Sequence, residues 1–337
     1  MKAIFSILLL SIAINFFAQQ VRSSKIILND KISIRSLEIY DDKVWYSGTD
    51  SKFGFIDLKN PDNQKQIRLS EEKLQFRTLA QDKTSFYTIN IESPAYFFKI
   101  HKKDLRFEVI HTDTVKTAFY DALHFVNNNK AYAFSDADLG HQLKLTVYSK
   151  GKWSLLNNHI KLNEGEAAFA ASNTNIASSG KYVWVATGGK ASRIVRLNLK
   201  DNTIQVFNTP FVQGESSQGI YSVDFYKDYF GIAVGGDYTK QSDNINNIAT
   251  TYNGGESWEI QASGKNAGYM TCVKIKPGSK GKEIMAVGDQ HISYSSDFGK
   301  TWKKISDEKD FYVCEWINET TVVLAGKNKI ALMELKF

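Results

Sequence analysis

The chain has 337 residues, of which 42% are hydrophobic and 23% charged, values that are typical of a soluble globular protein and exclude wholesale disorder. Its 42 Lys and Arg against 36 Asp and Glu give a net charge of +6. The basic residues are scattered rather than gathered in a stripe, so we expect no nucleic-acid partner. Aromatic residues make up 13% and mostly stand beside β-branched residues, which favours strands.

Residues 1–18 predict a signal peptide. Lys2 precedes an apolar run from Ala3 to Ile14, and Ala18 supplies a small residue for cleavage. The run is too short to span a bilayer comfortably, and no later stretch is apolar enough to do so. We therefore expect an exported protein, periplasmic or secreted, with no stable membrane insertion. Residues 19–337 are expected to form one domain and to act as a monomer.

Strand-like segments then follow one another along the chain, separated by Gly, Asn, Asp and Lys-rich turns. They group into seven strand-rich units, at 33–58, 75–100, 119–156, 176–207, 218–260, 267–304 and 310–335. A spacing of about 45 residues is usual for a four-stranded propeller blade. The sequence therefore predicts an all-β fold, a seven-bladed β-propeller of four-stranded antiparallel blades, with six or eight blades as alternatives. Lys25 to Leu28 are expected to close the ring against the last blade.

Residues 295–302 match the pattern S-x-D-x-G-x-T-W, and residues 251–258 match a relaxed form of it 44 positions earlier. Residues 149–153 are a degenerate third copy. All three runs resemble the Asp-box of sialidase-type repeats. An Asp or Asn side chain can bond the amides of its own turn, and Gly takes backbone angles that other residues avoid. We expect these runs in the turns between the third and fourth strands of their blades.

The segments that are unusually rich in glycine or polar residues are then expected at the opposite face, called here the top face. They fall in loops between second and third strands or in connections between blades, at 135–141, 163–166, 188–193, 214–219 and 235–247. Loops held on a rigid scaffold commonly carry binding function.

We predict that the ligand-binding residues lie in or beside these loops and recognise a partner by hydrogen bonds and charge. They are Asp136, Glu166, Asn173, Arg193, Ser217, Asp237 and Tyr238. Alternatives stay open: loop capping for Asp136 and Asp237, and an ion pair with a loop carboxylate for Arg193. The glycine pairs at 188–189 and 235–236 could equally be tight turns. No catalytic residue, metal site or cofactor is predicted.

The two cysteines, Cys272 and Cys314, each stand within a strand-like run. An exported protein could join them in a disulfide, and two buried free thiols are the alternative. Neither has a Cys or His at metal-ligand spacing, so a zinc site is not expected.

Six short motifs lie at 119–125, 135–136, 164–172, 187–189, 219–222 and 234–238. Together they resemble motifs of exported bacterial propellers of the photosystem II stability and assembly factor type, whose members are often labelled BNR-repeat proteins or oxidoreductases. The resemblance implies a seven-bladed propeller that acts by binding, and photosynthetic members chaperone a newly made membrane subunit. An oxidoreductase activity finds no support, because the chain has no dinucleotide-binding glycine motif, haem attachment motif or redox cysteine pair.

An enzyme remains the alternative function. A sialidase needs an arginine cluster, but none of the few arginines stands in the Arg-Ile-Pro context of that family. Another glycoside hydrolase or lyase could use Glu166 and Asp237 as paired carboxylates. The preferred interpretation is a binding protein that recognises a protein or an envelope polymer through its top face.

Overall fold

The computed structural model describes residues 20–137 and 139–336. The predicted signal peptide at 1–18 lies outside the described residues. Across the described ranges the chain forms 28 strands, and no helix there is long and apolar enough to cross a membrane.

Six antiparallel sheets contain all these strands. The closing sheet, which holds both ends of the described chain, has the order β27-β28-β1-β2-β3-β4. Its strands are β1 (Gln20–Tyr40), β2 (Lys43–Gly48), β3 (Lys52–Asp57), β4 (Gln64–Arg68), β27 (Phe311–Trp316) and β28 (Thr321–Lys336).

Four further sheets are four-stranded meanders. The first has β5 (Ala80–Gln81), β6 (Ser85–Ile89), β7 (Ala95–His101) and β8 (Phe107–Asp113). The second has β9 (Tyr120–Asn127), β10 (Lys130–Ser135), β11 (Lys144–Ser149) and β12 (Lys152–Leu155). The third has β14 (Ile176–Ser179), β15 (Tyr182–Ala186), β17 (Arg193–Asn198) and β18 (Ile204–Asn208). The fourth has β23 (Cys272–Ile275), β24 (Ile284–Gly288), β25 (His291–Ser295) and β26 (Lys303–Ser306).

The sixth sheet is a meander with two short strands added to its inner edge, in the order β13-β16-β19-β20-β21-β22. Its strands are β13 (Glu166–Ala167), β16 (Gly188–Gly189), β19 (Gln218–Tyr226), β20 (Phe230–Asp237), β21 (Ile248–Thr251) and β22 (Glu259–Ile260).

The prediction of seven blades is wrong, because the hydrogen-bonded sheets number six. The reason lies in β1, which pairs with β28 over Gln20 to Ser33 and with β2 over Ile34 to Tyr40. The first and last strand-rich units of the sequence therefore belong to one sheet. The expected ring closure is confirmed, since Lys25 pairs with Leu332 and Leu28 with Ile330.

Apolar side chains fill the spaces between neighbouring sheets, as the alternating strand pattern requires. Trp184 of β15 is fully buried and stacks on Phe225 of β19, with ring centroids 3.7 Å apart. The largest cluster packs the closing sheet against β23–β26. Burial stabilises such joints by about 25 cal/mol for each Å² of apolar surface removed from water, so contacts between sheets help to hold the ring together.

The two clearest repeat runs form matching turns. The Asp297 carboxylate accepts a hydrogen bond from the Thr301 amide at 2.9 Å, and the Trp302 indole donates to the Gly299 carbonyl at 2.9 Å. In the run at 251–258, the Asn253 side chain and the Trp258 indole make the same two bonds. All three runs lie between the third and fourth strands of a meander, as expected. Their assignment to the sialidase-type repeat stays a prediction.

As far as they are described, the five unusual segments lie at the other ends of their strands, on the top face. Their glycine pairs are not tight turns but parts of strands, at 188–189 in β16 and at 235–236 in β20. The segment at 238–247, for example, follows β20, whereas the turn at 227–229 precedes it. The two ends of a strand lie on opposite faces of the ring of sheets, so this segment and this turn are separated by the length of β20.

Candidate functional site

A short segment crosses the central channel and ties the sheets together from inside. This plug segment, residues 168–174, runs between β13 and β14. The Asn173 side chain accepts a hydrogen bond from the Leu123 amide and donates to the Leu79 carbonyl, each at 2.8 Å. The Ser172 hydroxyl donates to the Thr271 carbonyl at 2.6 Å. The segment therefore bonds to three other parts of the ring.

Small side chains allow the crossing. The plug segment contains three alanines, at 168, 170 and 171, which leave its backbone carbonyls open to neighbours. The Arg35 guanidinium donates to the Ala171 carbonyl at 3.0 Å, and Arg77 reaches the Ala170 carbonyl at 3.5 Å. The run of alanines after the Glu-Gly-Glu triplet is thus explained by tight backbone packing on the axis.

Close backbone approach also explains the glycine pairs. A Cβ on Gly188 would stand 2.3 Å from the Phe169 ring, and a Cβ on Gly235 would stand 2.1 Å from the Gly219 oxygen. Because only glycine fits there, these positions bring β16, β19 and β20 together beneath the top face.

The plug segment divides the channel into two cavities. The upper pocket, which opens at the top face, has a volume of about 340 Å³. It is lined by Arg35, Arg77, Phe119, residues 168–171, Tyr221, Tyr238, Gln241, Tyr269 and Asp289. The lower cavity measures about 260 Å³ and is lined partly by residues 172–174.

An aromatic wall forms one side of the upper pocket. The rings of Phe169 and Tyr221 lie parallel with centroids 3.9 Å apart, and Tyr269 meets Tyr221 edge-on at 4.8 Å. The Tyr221 hydroxyl is fixed by donating to the Ser217 carbonyl at 2.7 Å. Tyr238 stands at the rim and is half exposed. Rigid aromatic surfaces of this kind bury area at little cost in conformational entropy.

Two guanidinium groups give the pocket its charge. Arg35 stacks over the Tyr312 ring at 4.0 Å, and burial together with the nearby charge of Arg35 lowers the pKa of Arg77. Each guanidinium carries five N–H donors. In the described chain each has one hydrogen bond to the plug segment, which leaves donors for an anionic ligand.

The carboxyl groups near these arginines lie in buried surroundings. Burial and the adjacent Asp136 carboxyl raise the pKa of Asp121 well above its ordinary value. Burial raises the pKa of Asp136 to about 6. Among the described residues that line the upper pocket, Asp289 is the one carboxyl group. The lining of the upper pocket therefore carries two guanidinium groups against one carboxyl group.

Of the seven predicted ligand-binding residues, Glu166 and Arg193 bind each other. The Arg193 guanidinium donates to both carboxylate oxygens at distances from 2.6 to 3.0 Å. The Thr187 hydroxyl and the Asn163 amide also donate to Glu166, at 2.6 and 2.8 Å. The Glu166 side chain is entirely buried. This is the ion pair that the sequence left open for Arg193.

Asp136, Asn173 and Ser217 lie around the pocket rather than on its lining. The Asp136 carboxylate accepts from the Ala168 amide at 3.3 Å at the start of the plug segment. Asn173 faces the lower cavity, and Ser217 holds the Tyr221 hydroxyl through its carbonyl. The side chains of Asp136 and Asn173 therefore hold the plug segment in place, and the Ser217 carbonyl holds the aromatic wall.

Asp237 caps its loop, the alternative that the sequence left open. Its carboxylate accepts from the Thr239 hydroxyl at 2.6 Å and from the Thr239 amide at 2.9 Å. Its neighbour Tyr238 is the one predicted residue among those that line the upper pocket. Whether any of the seven residues binds a ligand stays a prediction.

Sequence reasoning missed Arg35, Arg77, Tyr221, Tyr269 and Asp289. A signal was present, since Arg35, Arg77 and Phe119 follow one another at intervals of 42 residues. That spacing is close to one blade, so equivalent positions of successive units converge on the axis. The loops drew attention because their residues are unusual, whereas these residues stand in or beside ordinary strands.

The lower cavity holds a second group of titratable side chains. Burial raises the pKa of Glu38 to about 7 and that of Asp224 to about 6, and it lowers the pKa of His124 to about 4. Lys274 pairs with Glu315 at 2.5 Å. Within residues 20–137 and 139–336, no cluster of three or more His, Cys, Asp or Glu side chains is placed to hold a metal ion.

Comparison with known proteins defines the class. No family model and no curated protein sequence matches the chain. Among solved structures, YCF48 bound to a D1 peptide matches with a TM-score of 0.66 and 11% identity, over 94% of this chain and 97% of that one. The WD40 repeats of RRP9 match with a TM-score of 0.68 and 10% identity, over 95% and 100%. U3-55K matches with a TM-score of 0.67 and 10% identity, over 94% and 100%.

These likenesses, together with the ring of antiparallel sheets, show that the chain is a β-propeller. At such low identity they establish the fold and nothing finer. The resemblance to the photosystem II assembly factor type is therefore supported at the level of the propeller fold, and the BNR and Asp-box assignment stays a prediction.

Proposed function

We propose that this protein is an exported binding scaffold that holds a segment of a protein partner in the upper pocket. The observation that carries the proposal is the pairing of two guanidinium groups with an aromatic wall at the open end of a plugged channel. The related fold of YCF48 has been seen with a peptide bound, which supports a peptide as the kind of ligand.

The chemistry of the pocket favours a partner segment that carries a carboxylate beside an apolar or aromatic side chain. Guanidinium groups bind carboxylates through paired, charge-assisted hydrogen bonds. The parallel rings of Phe169 and Tyr221 offer a flat surface for the neighbouring side chain. An envelope polymer with carboxylate groups would use the same arginines, and it is the second outcome of the test below.

The carboxylates proposed for a glycoside hydrolase do not favour that activity. Both oxygens of Glu166 are engaged by protein donors, and Asp237 is bound to its own loop. Neither residue is among those that line the upper pocket.

The proposal is tested by affinity capture from an envelope extract, with the full chain as bait. The comparison bait is the double variant Arg35→Gln/Arg77→Gln. The matched control is Arg22→Gln, because Arg22 is largely exposed, lies 3.9 Å from Glu334 where β1 pairs with β28, and does not line the upper pocket. Synthetic peptides that tile the captured protein are then titrated against all three.

A peptide segment should bind the wild type and Arg22→Gln equally. The double variant should bind it at least about tenfold more weakly, because a hydrogen bond to a charged group contributes about 1.5–3 kcal/mol. Equal binding by the double variant would refute the pocket. If the wild type captured a carbohydrate polymer and the double variant did not, the ligand would be the polymer rather than a peptide. The upper pocket would still be the binding site.

A further inference from the structure

The two cysteines meet at the joint between the closing sheet and its neighbour. Cys272 lies in β23 and Cys314 in β27, the first strands of two successive units, and neither side chain is exposed. Their sulfur atoms are 3.8 Å apart, and both are free thiols in this structure. They belong to the apolar cluster that packs the closing sheet against β23–β26.

The surroundings make the two thiols unequal. The Cys314 amide donates to the Cys272 sulfur at 3.5 Å. Burial acts to raise the pKa of Cys272, but the hydrogen bond from Cys314 and the charge of Lys274 outweigh it and lower that pKa. The hydrogen bond with Cys272 and burial raise the pKa of Cys314. Cys272 is therefore the better nucleophile, because the thiolate is the reactive form.

The two sulfur atoms lie 3.8 Å apart, whereas a disulfide needs a separation of about 2.05 Å. Strands β23 and β27 belong to different sheets, so no ladder of backbone hydrogen bonds joins them. A disulfide would therefore form through rotation of the side chains and an approach of the two strands.

We propose that Cys272 and Cys314 form a cross-linking site, joined by a disulfide when the chain folds in an oxidising compartment. The Cys272 thiolate attacks the disulfide of a thiol–disulfide oxidoreductase or of oxidised glutathione and releases one thiolate. The Cys314 sulfur, after losing its proton, then attacks the mixed disulfide at Cys272 and releases the second. Two protein thiols are oxidised, and one external disulfide is reduced to two thiols.

The cross-link would strengthen the joint between the closing sheet and its neighbour. The first and last units meet through the hydrogen bonds between β1 and β28, and the packing of β23 against β27 holds this sheet to the next one. A covalent bond between β23 and β27 would keep that joint closed even when β1 separates from β28.

The test refolds the reduced full chain, with its own N-terminal segment, in a glutathione redox buffer or in dithiothreitol. Thiols are then counted by unfolding in guanidinium chloride, alkylating with N-ethylmaleimide and weighing the intact protein. We expect no adduct after oxidative refolding and two after reductive refolding. A peptide map should join the fragments that contain Cys272 and Cys314. The variant Cys314→Ser should keep one adduct in both buffers.

Thermal unfolding gives a second measurement. The oxidised wild type should melt about 5 °C above the reduced form, because the cross-link restricts a loop of roughly 40 residues in the unfolded chain. Cys314→Ser should show no difference between buffers. Two adducts on an oxidatively refolded wild-type chain with native circular dichroism would overturn the proposal, and so would disulfides formed only between chains. The thiol count uses the wild type, so it decides the matter even if the variant folds poorly.

Discussion

The ion pair between Glu166 and Arg193 should be a stability element of the top face rather than a ligand site. Replacing Arg193 by Met keeps an unbranched apolar side chain and removes the guanidinium charge. The Glu166 carboxylate would then remain buried with the Thr187 hydroxyl and the Asn163 amide as donors, but without a cation. The side chains of Glu166 and Arg193 are 0% and 13% exposed, so water cannot replace the lost guanidinium.

Removing one partner of a buried pair costs about 3–5 kcal/mol of unfolding free energy. For a domain of this length that corresponds to a fall in melting temperature of about 5–8 °C. The double variant Glu166→Gln/Arg193→Met removes both charges and should recover part of the loss, so the two sites should couple by more than about 1 kcal/mol. The matched control is Arg106→Met, whose exposed pair with Asp104 should contribute little to the unfolding free energy because solvent screens it.

The assay is unfolding by guanidinium chloride, followed by tyrosine and tryptophan fluorescence. It compares the wild type with Arg193→Met, Glu166→Gln, the double variant and the control Arg106→Met. A loss of less than about 1 kcal/mol in Arg193→Met, similar to that of the surface control, would refute the reasoning. It would show that the carboxylate finds water or another donor when the arginine is removed.

Three further changes test other parts of the structure. Asn173→Ala leaves the Leu123 amide and carbonyl without partners and should lower the unfolding free energy by about 2–4 kcal/mol, measured by chemical denaturation. Gly235→Ala puts a Cβ 2.1 Å from a backbone oxygen and should lower the unfolding free energy by more than about 2 kcal/mol. Its control, Gly151→Ala, meets nothing within 4 Å and should lower it by about 1 kcal/mol. Equal melting temperatures of the two variants would contradict the close approach of strands. Burial holds the pKa of Glu38 in the folded state at about 7, above the ordinary value of 4.5. The folded state therefore binds an extra proton, and the unfolding free energy falls as pH rises from about 4.5 to about 7. Glu38→Gln should flatten that fall, and parallel pH profiles of the variant and the wild type would contradict the raised pKa of Glu38.

Much of the architecture could be predicted because it depends on local patterns. Alternating residues and turn residues mark the strands, and the run from Lys25 to Leu28 was recognisable as the closing strand. The number of sheets was not, because it depends on whether β1 passes from β28 to β2 without a break in hydrogen bonding. That is a property of the backbone path at one point, and no residue type marks it.

The site was predicted less well, for a related reason. Glu166 and Asp237 stand out in the sequence because their neighbours are unusually small or polar. In the structure the Glu166 carboxylate accepts hydrogen bonds from Arg193, and the Asp237 carboxylate accepts one from Thr239. Arg35 and Arg77 look ordinary in sequence, since each stands in or near a strand. Only the closure of the ring brings them together above the plug segment. Residues that converge from distant units can be found by their spacing, but not by local composition.

The most direct test of the central claim is to locate the partner on the protein by site-specific photo-cross-linking. A photoreactive phenylalanine analogue would replace Tyr238 at the rim of the upper pocket, and in a second protein Tyr229. Both side chains are exposed to a similar extent, and they flank opposite ends of β20. Our account predicts that the captured partner cross-links at position 238 and not at position 229. Cross-linking at 229 alone would place the partner on the opposite face and contradict the account.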